Sequence, residues 1–167
     1  MKLLKWLDDK LERNICIVLL TGMTLLIFIQ VIMRYIFNNS LSWSEELARY
    51  FFIWLIYFGI SYGAKIRKHL KIEAFLFFFP KKLRVYVEIL GDTLFLAFSV
   101  FVIIYASELV EIQIAMKQIS PALGIPMAVI YTAPMVGFLL TAIRQIQTII
   151  YRFRHRRDKE KAGDDVG

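Results

Sequence analysis

Four stretches of this chain contain no charged residue, and they decide what the chain can fold into. They cover residues 15–33, 50–64, 93–107 and 119–143, with lengths of 19, 15, 15 and 25 residues. The five pieces beside and between them hold 14, 16, 28, 11 and 24 residues. Each piece is shorter than the roughly 40 residues below which a chain rarely builds its own core. The sequence therefore leaves no room for a separate soluble domain.

The four stretches predict membrane-spanning helices. A helix rises about 1.5 Å per residue and the bilayer core is about 30 Å thick, so a span needs roughly 17 to 25 mainly apolar residues. The first and fourth stretches are long enough alone, and the second and third become so with their flanks. We predict an all-α integral membrane protein with one transmembrane domain over residues 1–151 and a polar cytoplasmic tail, 152–167, in which the part after Arg157 has no regular structure. The predicted spans are 15–36, 46–64, 86–107 and 125–150.

The distribution of Lys and Arg predicts the orientation, because these residues resist translocation across the membrane. The two terminal segments and the loop between the second and third spans hold eighteen of them, whereas the other two loops hold three. We therefore expect both termini in the cytoplasm (N-in/C-in). The net charge of +7 then reflects topology and contact with anionic membrane lipids, and no nucleic-acid partner is expected.

Two short segments have the pattern of amphipathic helices that lie on the membrane surface. Leu3, Leu4, Leu7 and Leu11 recur at helical spacing near the amino terminus, which is typical of an interfacial helix. Residues 72–79 are mostly aliphatic and aromatic, are too few to cross the membrane, and lie between basic clusters. The basic residues expected to anchor the cytoplasmic segments at the membrane surface are Lys65, Arg67, Lys68, Lys81, Lys82, Arg84, Arg152, Arg154, Arg156 and Arg157.

The sequence predicts no catalytic, cofactor-binding or metal-binding residue. His69 and His155 both lie in basic segments outside the spans, where they could not ligate a haem inside the membrane. Asp92 is the one ionisable candidate at depth, and such a residue can mark a transport pathway. We favour a helix-packing role, with Asp92 bonded to a hydroxyl or cation of a neighbouring helix. A transporter that works alone remains an alternative, whereas an enzyme is not expected.

The segment 34–49, RYIFNNSLSWSEELAR, admits two interpretations. Ser42 followed three residues later by Glu45 has the form of a capping box at a helix start, and Arg49 can pair with either Glu45 or Glu46. Capping does not require Glu46, however, and two adjacent carboxylates are unusual on a charge-poor face. The segment can equally form a docking surface for a partner. The residues that we assign to this surface are Trp43, Glu45, Glu46 and Arg49.

Glycine and proline in the remaining spans suggest helix contacts and helix ends. Gly59 and Gly63 form a G-x-x-x-G motif, which permits close approach of another helix, and together with Asp92 they are our predicted helix-packing residues. In the segment 120–126, SPALGIP, proline and glycine prevent a regular helix until about residue 125. We expect an extended loop that leads into a helix bent at Pro134, rather than a re-entrant ion-binding break.

These segments resemble the small membrane subunit of tripartite ATP-independent periplasmic (TRAP) transporters. The resemblance covers about residues 4–144 and rests on RYIFNNSLSWSEELARYFFIWLIYFGISYGA, KHLKIEAF and SPALGIPMAVIYTAPMVGF. Its specific part is WSEELAR after an RY-x-F-N turn. The family also has an H-x-x-x-acid pattern, which falls on His69 and Glu73. Aspartate is the commoner acid there, so Glu73 is a mild departure.

The resemblance implies a non-catalytic scaffold subunit in the bacterial inner membrane. Its implied partners are a large membrane subunit and a periplasmic substrate-binding protein. The large subunit would hold the substrate and sodium sites and move as an elevator. The imported solute would be an organic acid, with sialic acid favoured over a four-carbon dicarboxylate. A small self-sufficient oligomeric transporter or exchanger, and a membrane assembly protein, remain open as alternatives.

Overall fold

A computed structural model of the chain describes the backbone of residues 2–66 and 81–164 and the side chains of residues 11–64, 66, 87 and 89–150. The predicted surface segment 72–79 and the pattern of His69 and Glu73 lie outside the described residues. The side chains of all the predicted basic anchors lie outside them too. These anchors are Lys65, Arg67, Lys68, Lys81, Lys82, Arg84, Arg152, Arg154, Arg156 and Arg157.

The described chain consists of four helices. They are α1 (Lys2–Tyr35), α2 (Ser42–Ile66), α3 (Lys81–Ala115) and α4 (Ala128–Asp164). Each contains a segment long and apolar enough to cross a membrane: Leu11–Tyr35, Ser42–Ala64, Ile89–Ala115 and Ala128–Ile150. The prediction of an all-α membrane protein with four transmembrane helices is confirmed.

The first and last helices, α1 and α4, extend well beyond the apolar stretches. Helix α1 has 34 residues, about 51 Å at 1.5 Å per residue, and runs unbroken from the leucine-patterned segment into the span. Whether that segment lies on the membrane surface stays a prediction. Helix α4 continues to Asp164, so the expected lack of regular structure is wrong for residues 158–164. An existing helix lengthens without a new nucleation step, and the Lys, Glu and Ala residues there favour helix.

The helices do not pack in chain order. Helix α2 packs against α1 and α4, and α4 also packs against α3. Small side chains allow the close approaches, as expected for helices in lipid. A Cβ added at Gly22 would lie 2.7 Å from the Phe51 ring, and one at Gly137 would lie 2.9 Å from the Tyr57 carbonyl oxygen. The other buried small residues include Ser44, Ala48, Ser61, Ser99, Ala106, Ala133, Thr141 and Ala142.

Gly59 and Gly63 do not allow a close helix–helix approach of this kind within the described chain. A Cβ added at either position would meet no atom within 4 Å. Both glycines line a cavity of about 470 Å³, whose other walls include Phe95 and Phe98 of α3 and Phe138 of α4. The motif therefore remains a predicted contact with a partner helix. The predicted packing residue Asp92 lies half-buried on α3.

A buried ion pair joins α1 to α4. Arg144 donates from both Nε and Nη2 to Glu12 Oε1, at 3.3 Å each, and the Ser61 hydroxyl of α2 donates to the same oxygen at 3.0 Å. The side chains of Glu12 and Arg144 are only 3% and 10% exposed. This contact ties three helices at one point, and it places Arg144 inside the bundle rather than in the basic tail.

We predict that Glu12→Gln and Arg144→Gln will each destabilise the folded chain more than the double variant will. Each single variant leaves a buried charge without its partner, a change that typically costs about 3–5 kcal/mol. Two glutamines can still hydrogen-bond to each other. Thermal unfolding of the purified chain, followed by circular dichroism, measures the order of stabilities. Arg13→Gln, an exposed change on α1, is the control, and singles as stable as the double would contradict the prediction.

Candidate functional site at the loop end of the bundle

The connections 36–41 and 116–127 lie at the same end of the bundle, which we call the loop end. A contact between α2 and the second connection fixes this geometry, since the Glu46 carboxylate binds backbone N–H groups of residues 122 and 123. The predicted docking residues Trp43, Glu45, Glu46 and Arg49 all belong to the first two turns of α2. The structure therefore brings them together, but it gives them different roles.

The start of α2 does not use the predicted capping box. The helix begins at Ser42 itself, which puts Leu41 at the cap position, and the Ser44 hydroxyl donates to the Leu41 carbonyl at 2.9 Å. Glu45 turns its carboxylate toward α1 instead, because donors on that helix lie within reach.

Glu45 is the centre of an exposed polar cluster that joins α1 to α2. Its Oε2 accepts a hydrogen bond from Gln30 Nε2 at 3.2 Å and lies 3.8 Å from Arg34 Nη2. Its Oε1 lies 3.5 Å from Arg49 Nη2. Of the two carboxylates that could pair with Arg49, the structure uses Glu45. The Arg49 side chain is 65% exposed, so this pair contributes at most about 1 kcal/mol and leaves the guanidinium accessible.

Glu46, by contrast, faces the interior and is only 8% exposed. Its Oε2 accepts hydrogen bonds from the backbone N–H groups of Ala122 at 2.8 Å and Leu123 at 3.2 Å. Its Oε1 accepts the hydroxyl proton of Tyr50. A carboxylate with these partners is not an exposed docking charge. We therefore assign Glu46 to the fold of the loop and keep Trp43, Glu45 and Arg49, which are exposed, as the predicted docking residues.

The second connection is compact rather than extended. Ile119 and Pro126 form an antiparallel bridge, the N–H of Ser120 donates to the Ile125 carbonyl at 2.9 Å, and the N–H of Met127 donates to the Gln118 carbonyl at 2.9 Å. The expectation of a loop before a helix that starts near residue 125 is confirmed, since α4 begins at Ala128. Its shape is a short hairpin because the chain reverses at Gly124, which has a φ of 66°.

A groove of about 760 Å³ opens beside this cluster. Its polar lining residues include Glu45, Glu46 and Arg49, and its apolar ones include Ile53 and Ile130. Among the described residues, only α2, α4 and the second connection contribute to its walls. The loop end thus combines accessible charges, an apolar groove and a preformed loop, an arrangement suited to binding rather than to catalysis.

A metal site needs a cluster of ligating side chains. Among the side chains that the structure describes, at residues 11–64, 66, 87 and 89–150, no group of three or more His, Cys, Asp or Glu could hold a metal ion. Sequence reasoning missed Glu12, Arg144, Gln30 and Tyr50 as structural polar residues. These residues could have been found from the sequence as polar side chains inside or beside an apolar stretch, because such groups must find partners in a membrane.

The fold defines a multi-pass membrane protein with exposed charges and a groove at one end. Residues 23–155 match the family model of the DctQ component of the tripartite ATP-independent periplasmic transporters. A protein of Haemophilus influenzae described as a TRAP transporter small permease protein is 30% identical over 150 residues, which cover 87% of this chain and 92% of the relative. The chain therefore belongs to the DctQ family. It is a non-enzymatic transport component and a multi-pass protein of the inner membrane.

Two further relatives differ in length and are named for different substrates. The isethionate TRAP transporter permease protein DctMQ of Oleidesulfovibrio alaskensis is 30% identical over 161 residues, which cover 91% of this chain but 25% of the relative. The C4-dicarboxylate TRAP transporter small permease protein DctQ of Vibrio cholerae is 32% identical over 96 residues, which cover 58% of this chain and 41% of the relative.

Proposed function

We propose that this chain is the scaffold subunit of a sodium-coupled TRAP transporter that imports an organic acid. In this proposal it works with a large membrane subunit and a periplasmic substrate-binding protein. The observation that carries the proposal is its similarity to DctMQ, one permease polypeptide of which the matched part makes up a quarter. The rest of that polypeptide supports a much larger membrane partner for this chain.

The distribution of charge within the bundle supports a scaffold rather than a transport pathway. The buried carboxylate of Glu12 is bound to Arg144, and the buried carboxylate of Glu46 is bound to Tyr50 and to backbone N–H groups. Groups engaged in this way are poorly placed to bind and release a substrate or a sodium ion in each cycle. We therefore assign the substrate and sodium sites to the large subunit.

We further propose that both termini lie in the cytoplasm and that the loop end faces the periplasm. The excess of Lys and Arg in the terminal segments and in the loop 65–84 supports this orientation. It places the exposed Trp43, Glu45 and Arg49 where a periplasmic protein can reach them. Lipid headgroups would contact the basic segments on the cytoplasmic side.

For the solute we propose sialic acid first and a four-carbon dicarboxylate second. Relatives of this subunit are named for isethionate and for C4-dicarboxylates, although their sequences are similarly close to this chain. That spread of names supports placing the groups that select the substrate in other chains. The solute is therefore best identified with the complete transporter.

The first prediction concerns uptake by membrane vesicles. Vesicles with both membrane subunits should accumulate labelled sialic acid when the binding protein and an inward sodium gradient are present. Vesicles with this chain alone should accumulate none, because the proposed sites lie in the large subunit. Uptake by this chain alone would favour a self-sufficient transporter. Uptake by the large subunit that is unaffected by this chain would favour an assembly protein.

The second prediction concerns the contact with the large subunit. Replacing Gly59 and Gly63 together by leucine should reduce the amount of large subunit that copurifies, because the added side chains fill the surface on which a partner helix would approach. The chain itself should still fold, since neither glycine meets a neighbour. Gly91→Leu, at another open position on α3, is the control. Unchanged copurification would mean that this face contacts lipid.

The third prediction concerns docking of the binding protein. Arg49→Gln should leave the complex of membrane subunits intact, because the exposed pair with Glu45 contributes little to stability. It should raise the binding-protein concentration needed for half-maximal uptake and weaken its dependence on salt. Arg13→Gln makes the same change of charge at the far end of α1 and should have no effect. Equal half-maximal concentrations for both variants would exclude Arg49 from docking.

A further inference from the structure

The contacts within the hairpin 116–127 are not sufficient by themselves to keep it ordered. Lys117 has a φ of 50°, a region in which a residue with a side chain is disfavoured by roughly 1 kcal/mol or more. Three backbone hydrogen bonds lie within the hairpin, and the third beside the two already described runs from the Gly124 N–H to the Ser120 carbonyl at 3.1 Å. A hairpin this short is marginal alone, so a contact from outside it has a large effect on its order.

That outside contact is the carboxylate of Glu46. The N–H groups of Ala122 and Leu123 lie at the tip of the hairpin and both donate to Glu46 Oε2. Successive backbone N–H groups in a turn form a concave site for an anion, and hydrogen bonds to a charged acceptor are stronger than neutral ones. Here the anion belongs to a neighbouring transmembrane helix, 76 and 77 residues away in sequence.

The other oxygen of the Glu46 carboxylate has a partner within α2. Tyr50, one helical turn further along α2, donates its hydroxyl proton to Glu46 Oε1 and lies 3.7 Å from the sulfur of Met127 at the base of the hairpin. Both Glu46 and Tyr50 are buried. Both oxygens of the carboxylate therefore have partners, and together they join α2 to the tip of the hairpin.

The hairpin in turn presents apolar side chains to its surroundings. Met116 is 62% exposed and Ile119 is 67% exposed, and the loop residues Pro121 and Pro126 are exposed as well. Apolar groups clustered on a connection between helices are typical of a contact with another molecule. A loop that is already ordered before contact avoids the entropy loss of ordering it during binding.

We infer that Glu46 is a positioning residue that holds the hairpin 116–127 in the form that contacts the periplasmic binding protein. This inference rests on the proposed function and extends it. The hairpin, with Met116 and Ile119, is the apolar part of the docking surface, and Arg49 is its charged part. Glu46 does not touch the binding protein, although it lies beside Glu45 in sequence.

The test uses the complex of both membrane subunits, with Cys16 replaced by serine so that one added cysteine can carry a spin label. The cysteine replaces Ala122, whose side chain is exposed and whose backbone N–H is unaffected. The variants are Glu46→Ala, Glu46→Gln and, as the control for label mobility alone, Glu45→Gln. Each is measured twice, by the mobility of the label in its electron paramagnetic resonance spectrum and by uptake at increasing concentrations of binding protein.

Glu46→Ala should make the label mobile and should leave the maximal rate of uptake unchanged. It should raise the half-maximal binding-protein concentration by about tenfold, because the entropy cost of ordering one or two side chains at an interface corresponds to a change of that size in affinity. Glu46→Gln keeps the shape and one acceptor oxygen, so it should restore much of both properties. Glu45→Gln should leave the label immobile. Ile119→Ser should raise the half-maximal concentration without changing the mobility of the label.

Three outcomes would overturn the inference. If the label stays immobile in Glu46→Ala, the carboxylate does not hold the hairpin. If the label becomes mobile while the half-maximal concentration is unchanged, the hairpin does not contact the binding protein. If Glu46→Ala fails to assemble, Tyr50→Phe, which removes the hydroxyl that donates to Glu46 Oε1, takes its place and is judged by the same two results. Failure of the proposed function itself is recognised separately, because uptake by the wild-type complex would then not depend on the binding protein.

Discussion

Apolar helices gain little from meeting each other in a membrane, since the lipid around them is as apolar as their own side chains. Association in this bundle therefore depends on close packing and on a few polar contacts. The close packing occurs at Gly22 and Gly137, where neighbouring helices leave no space for a Cβ. The polar contacts occur near the two ends, where Glu12 binds Arg144 and where Glu46 binds the second connection.

The two ends use their polar groups differently. The Glu12–Arg144 pair is buried among α1, α2 and α4 and has no exposed charge to offer a partner. At the loop end, one carboxylate is buried and its neighbour is exposed beside two arginines. Charges that are paired and buried at one end and accessible at the other support the proposed scaffold role and the proposed docking surface.

The number and class of the helices could be predicted from the sequence because the physical signal is local. Any stretch of about twenty residues without charge is costly to place anywhere but in a membrane or a core, whatever the rest of the chain does. The ends of the helices were harder to predict. Helix α4 continues through its basic tail to Asp164, since a helix that already exists can extend into residues that have only a modest preference for it.

The different environments of Glu45 and Glu46 show what the sequence determined and what only the tertiary structure decided. The sequence alone placed two carboxylates at the start of a transmembrane helix and offered Arg49 as a partner for either. Adjacent helical residues point about 100° apart, so the two carboxylates could not share one environment. Which of them is buried depends on a hairpin more than seventy residues away and on Gln30 and Arg34 of another helix. No local pattern encodes those contacts, because they exist only once α1, α2 and α4 have packed.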